Sequence, residues 1–147
     1  MKHSPHFGFT LLELLLVIVI LGVAFLVAFP TISRITTHSR VNQAAMVVAH
    51  DLSSALSAAA RERKPIRIAR GTDRQSITVS DRASGTLLST RWLGPTDAYG
   101  LDSVSFTVSS VDLFPNGSTS SPLTVFLWSK GYWRQVTMSR AGWVRTI

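Results

Sequence analysis

The chain has 147 residues, no cysteine, and 15 Lys and Arg against 8 Asp and Glu, a formal charge of +7. The absence of cysteine excludes disulfides, thiolate metal sites and a cysteine nucleophile, and the basic excess points to anionic partners: lipid headgroups, acidic protein surfaces or nucleic acid. Setting aside a membrane-length segment leaves roughly 110 residues, enough for one small domain, and four Trp and seven Phe help supply the apolar surface it must bury without staples.

A short polar leader, residues 1–8, ends at Gly8. Residues 11–29 then read LLELLLVIVILGVAFLVAF, which as a helix spans about 28 Å, close to the hydrocarbon thickness of a bilayer. The run is longer than the apolar region of a secretory signal, and no small-x-small cleavage site follows it. Lys2, His3 and His6 place positive charge on the short side, which keeps the leader in the cytoplasm while the bulk of the chain crosses. Glu13 is the only Asp, Glu, Lys or Arg between Lys2 and Arg34. A carboxylate at mid-bilayer costs roughly 2.5–3.5 kcal/mol on insertion scales, and less near an end. Glu13 therefore needs a partner.

The junction Gly8-Phe9-Thr10-Leu11-Leu12-Glu13 resembles the class III leader junction of type IV pilins and type II secretion pseudopilins. The resemblance implies that a prepilin peptidase cuts between Gly8 and Phe9 and methylates the new amine on Phe9. It also implies assembly with other pilins or pseudopilins into a helical filament, on an inner-membrane platform. Glu13 of one subunit would then meet the Phe9 amine of another, relieving two buried charges that would each be costly alone. Glu13 is on this reading an assembly and register key.

Pro30 removes one backbone donor and crowds the carbonyl of Leu26, so a kink or break is expected there. Residues 31–39 are rich in β-branched and hydroxyl side chains, mediocre helix formers, and a weak helical stretch is expected. From Val41 the pattern firms: Val41, Ala45, Val48, Leu52, Ala55 or Leu56, and Ala59 recur at steps of three and four, the apolar face of an amphipathic helix. Lys64-Pro65 ends it, since a residue before proline is pushed out of the α region.

After Pro65 the period becomes two. Strands are expected at 66–70, 76–80, 86–93, 103–109, 123–128, 134–139 and 142–146, separated by Gly-, Pro- and Asn-containing turns such as Asn116-Gly117-Ser118 and Ser129-Lys130-Gly131. With no βαβ alternation, the class is α+β: one long helix packed on a small antiparallel β-sheet or β-sandwich. The division expected is a cleaved leader at 1–8, a membrane or filament-core helix at 9–30, its amphipathic continuation at 31–64, and an antiparallel β domain at 65–147.

The tail, with Phe114-Pro115-Asn116-Gly117-Ser118, residues 123–128 and Gly142-Trp143-Val144-Arg145, resembles the GspH/FimT group of minor pseudopilins and minor pilins. The resemblance implies an H-type minor pseudopilin of type II secretion, anchored in the bacterial inner membrane with its β domain in the periplasm. The alternative is a FimT-like minor pilin for type IV pilus assembly. Some FimT-like proteins are DNA receptors with a Gly-Arg-x-Arg motif near the C-terminus. Here the first arginine is Trp143, which ranks nucleic acid behind protein partners and leaves Arg140 and Arg145 as candidate anion or DNA contacts. Six cations also lie between Arg61 and Arg74. No zinc-protease His pair and no Gly-x-Ser-x-Gly elbow occurs, so neither catalysis nor a cofactor or metal is expected.

Overall fold

A computed structural model describes residues 9–147. One helix, α1 (Leu11–Glu62), is followed by eight strands: β1 (Ile66–Arg70), β2 (Ser76–Asp81), β3 (Leu87–Trp92), β4 (Ser103–Phe106), β5 (Ser110–Leu113), β6 (Leu123–Ser129), β7 (Tyr132–Met138) and β8 (Val144–Thr146). The strands form two four-stranded antiparallel sheets, β3-β2-β1-β5 and β4-β6-β7-β8. The fold is α+β, one long helix with two small antiparallel sheets.

The chain divides into two compact units, the second being Thr37–Ile147. In the first, α1 contains a membrane-length apolar stretch of mean hydropathy 3.0 whose described side chains are exposed. The helix runs through Pro30 and residues 31–39 without interruption, so no break occurs there. A proline deletes a single hydrogen bond, and the turns on either side remain bonded.

In the second unit the helix stripe Val41, Ala44, Ala45, Val48, Leu52, Ala55 and Ala59 is buried in one cluster with inward residues of both sheets. Small alanines let the sheets approach the helix closely, while Val48 and Leu52 fill the space between. Of the two candidates at the stripe's middle, Ala55 is buried and Leu56 only half-buried. The helix ends as Arg63 turns left-handed (φ 55°). The Lys64 amide then donates to the Ala59 carbonyl at 3.3 Å, a Schellman closure one residue before Pro65.

Alternation sets the faces of the strands. Ile66 and Ile68 point inward on β1, as do Leu123, Val125 and Leu127 on β6 and Val136 and Met138 on β7. The β6–β7 hairpin turns on Lys130 and Gly131, both at positive φ, as a two-residue hairpin loop requires.

The strand expected at 103–109 ends early, as β4 at Phe106, and a strand that was not expected, β5, follows in the other sheet: β4 pairs with β6, whereas β5 pairs with β1. The apolar phase shifts at this crossing. Val104, Phe106 and Val108 fall on even positions, Val111 and Leu113 on odd ones. A strand cannot change face without leaving its ladder.

Candidate functional site

The helix start is built from three residues. Phe9 is exposed just before the cap. Thr10 is the N-cap and Glu13 the third helical residue, so Thr10-Leu11-Leu12-Glu13 is a capping box. Glu13 Oε2 accepts from the Thr10 amide at 3.2 Å and from the Thr10 hydroxyl at 3.3 Å, and the Glu13 amide donates to Thr10 Oγ1 at 3.2 Å. The Leu14 amide donates to the Thr10 carbonyl at 3.2 Å. The carboxylate thus satisfies a backbone donor at the positive end of the helix dipole, where a negative charge is favoured. Sequence reasoning placed Glu13 and missed its local partner, although Thr-x-x-Glu ahead of an apolar run announces it. Gly8 lies outside the described residues.

The candidate anion contacts are not brought to one site. Arg145 is exposed on β8 and lines a surface groove of about 470 Å³ with Trp143, Thr124 and Thr137. Arg140 is exposed in the turn before β8 and does not line that groove; its carbonyl accepts from the Thr119 amide at 2.9 Å.

Several of the other cations are internally engaged. Asp112 lies opposite Arg67 across the β1–β5 ladder and accepts from it twice, at 2.7 and 3.2 Å. Arg82 reaches the same carboxylate at 2.9 Å. The Arg67 hydrogen bond, with the Arg67 and Arg82 charges, holds the Asp112 carboxyl below the usual carboxylate range against the effect of burial. Arg91 of β3 makes a two-pronged pair with Asp51 of α1, at 2.7 and 3.0 Å. Arg134 of β7 donates to Asn42 Oδ1 at 2.8 Å, and Tyr132 donates to the same oxygen at 3.3 Å. Tyr132 also stacks on His38, ring centroids 3.8 Å apart. These groups tie the helix to β7.

The turn expected at Asn116-Gly117-Ser118 is present. Asn116 Oδ1 accepts from the Ser118 amide and hydroxyl at 3.1 and 2.7 Å, and Gly117 has φ 84°. Gly142, the first residue of the tail motif, is held structurally. At φ 77°, a Cβ there would lie 2.6 Å from the Gly117 carbonyl oxygen and 2.6 Å from Leu56 Cδ2. Among the described residues no cluster of three His, Cys, Asp or Glu side chains is placed to hold a metal.

Comparison with known proteins matches the prokaryotic N-terminal methylation motif to residues 4–29. The solved structure of the type IV minor pilin FimU of Pseudomonas aeruginosa (strain PAO1) aligns over 76% of this chain and 91% of its own, with 22% identity and a TM-score of 0.62. The minor pseudopilin EpsH from the Type 2 Secretion System of Vibrio cholerae aligns over 74% of this chain and 96% of its own, with 15% identity and a TM-score of 0.59. No curated protein matches significantly. The N-terminal residues carry the methylation motif, and the fold is like that of these two solved structures.

Proposed function

We propose that the chain is a non-enzymatic minor subunit of a pilin-like filament. On this reading prepilin peptidase cuts between Gly8 and Phe9 and methylates the Phe9 amine. The apolar half of α1 anchors the subunit in the inner membrane, with the C-terminal domain in the periplasm. The helix then moves into the filament core, where Glu13 pairs with the Phe9 amine of a neighbouring subunit. The observation that carries the reading is a capped carboxylate at the head of an exposed apolar stretch of helix, within residues matched to the methylation motif. An exposed apolar surface of that length needs either lipid or other helices around it.

In its first form the filament is the pseudopilus of a type II secretion system and this chain its H-type subunit. The second form, a minor pilin of a type IV pilus, is favoured by the somewhat greater likeness to FimU than to EpsH. Mass spectrometry of the protein from cells with and without prepilin peptidase tests the shared part: the mature chain begins at methylated Phe9 only when the peptidase is present. A Gly8→Asp chain remains uncut, and mature protein from that variant would overturn the assignment. Deleting the gene then separates the two forms, through loss of enzyme export in one and loss of surface pili in the other.

A further inference from the structure

The outer face of the second sheet carries three exposed aromatic rings. Phe126 and Trp128 point outward from β6, and Trp133 points outward from β7, while their inward neighbours fill the core. The three are 37%, 44% and 50% exposed. Ser105 and Ser103 of β4 stand opposite Phe126 and Trp128, and Trp128 stands opposite Trp133. Together these five side chains line an open cleft of about 350 Å³. Phe126 and Trp133 are tilted at 54°, centroids 6.4 Å apart, so the cleft has walls rather than a flat floor.

Solvent faces of antiparallel sheets are ordinarily polar, and the core gains nothing from aromatic rings turned outward. The volume falls at the small end of the range for small-molecule sites, where apolar walls are joined by a few polar groups. A stable protein interface engages some 20–30 residues a side, far more than this patch offers. No charged side chain lines the cleft, on a chain of net charge +7. That argues against a nucleotide or nucleic acid, whose phosphates need Lys or Arg beside the stacking rings. The remaining match is a neutral ring with an apolar face and a hydroxylated rim. We propose that this cleft binds a neutral saccharide, one pyranose face stacked on Trp128 or Trp133 and its hydroxyls bonded to Ser103 and Ser105.

The test is a tryptophan-fluorescence titration of the full-length protein, held in a zwitterionic detergent free of sugar headgroups. The probes are chitotriose and cellotriose. A saturable change in the millimolar range is expected, weakened at least about tenfold by Trp128→Ala, Trp133→Ala or Ser105→Arg and unaltered by Trp143→Ala, which lies outside the cleft. Ser105→Arg keeps every aromatic ring, so its loss of binding does not depend on refolding of the patch. Response to chitotriose alone assigns an amino-sugar polymer of the cell-wall kind, and response to cellotriose assigns a plain glucan. The proposal is overturned by no saturable change up to about 20 mM, by equal responses in wild type and variants, by oligo(dT) binding at the cleft in place of either sugar, or by a patch that only drives self-association.

Discussion

Thr10 and Glu13 cap the start of the helix reciprocally, each amide bonded at 3.2 Å to the other's side chain. Glu13 therefore has a local task before any second subunit arrives. A carboxylate has about four lone-pair sites, so it can keep the cap and still receive an amine from a neighbour. The two tasks separate by substitution. Glu13→Gln retains an acceptor for the Thr10 amide but has no charge to offer the Phe9 amine, while Glu13→Val loses both. Both variants are expected to be cut normally, and both to be missing from sheared or cross-linked filaments. Thr10→Ala is expected to weaken the helix start by about 1 kcal/mol and still assemble. Normal incorporation of Glu13→Gln would show that the cap, not the charge, is what assembly uses.

Asp112 is expected to make the second unit acid-sensitive. Its side chain is 13% exposed and shared by Arg67 and Arg82, which lowers its folded pKa below the unfolded value of about 3.9. A depressed pKa contributes stability that is complete above the unfolded value and is lost as pH falls through the folded one. Asp73 and Asp81, lowered by backbone amides in their turns, act in the same sense. Urea unfolding followed from pH 7 down to pH 2 is expected to show falling stability below about pH 4. Asp112→Asn is expected to lose about 1–2 kcal/mol at pH 7, since both arginines are partly solvated, and to show a smaller acid-dependent loss. An unchanged acid limb would remove Asp112 from the account.

The sequence exposed the fold where periodicity is local. The stripe from Val41 to Ala59, the alternation of Ile66 and Ile68, and the Lys130-Gly131 hairpin all follow from neighbours within a few residues. The crossing at 107–109 was hidden because two short strands of opposite phase are joined by three residues with no Gly or Pro among them. Asn42 and Arg134 are 92 positions apart, and no local pattern announces a hydrogen bond of that range. At the helix start the leader junction is legible, whereas the capping box is easily overlooked because a lone carboxylate in an apolar run points first to a partner outside the chain.

Two backbone positions carry opposite predictions. Arg63 is left-handed at the helix end, which costs a side-chain-bearing residue about 1–2 kcal/mol. Arg63→Gly is expected to stabilise the protein by about 0.5–1 kcal/mol after the entropy of the unfolded glycine is offset. Gly142→Ala meets a backbone oxygen and Leu56 at the same positive φ, and is expected to destabilise by about 2–4 kcal/mol. Thermal unfolding by circular dichroism measures both. A neutral Gly142→Ala would mean that the turn before β8 shifts freely. The glycine of the tail motif would then need another explanation than packing.

The Asn42 carboxamide is the joint between helix and second sheet. Its one oxygen accepts from Arg134 at 2.8 Å and Tyr132 at 3.3 Å, and Tyr132 is stacked on His38 one turn earlier in the helix. Asn42→Ala would leave a half-buried guanidinium and a phenol without their shared acceptor, a loss of about 1–3 kcal/mol. Asn42→Asp supplies a charged acceptor for the same donors, and is expected to restore most of that loss at pH 7 and to fail as the new carboxyl protonates. Because this contact lies near the first residues of the second unit, its removal is also expected to speed amide exchange from Thr37 to about Val41. Protection there, measured by hydrogen–deuterium exchange, would stay unchanged if the apolar stripe alone held this end of the helix to the sheets.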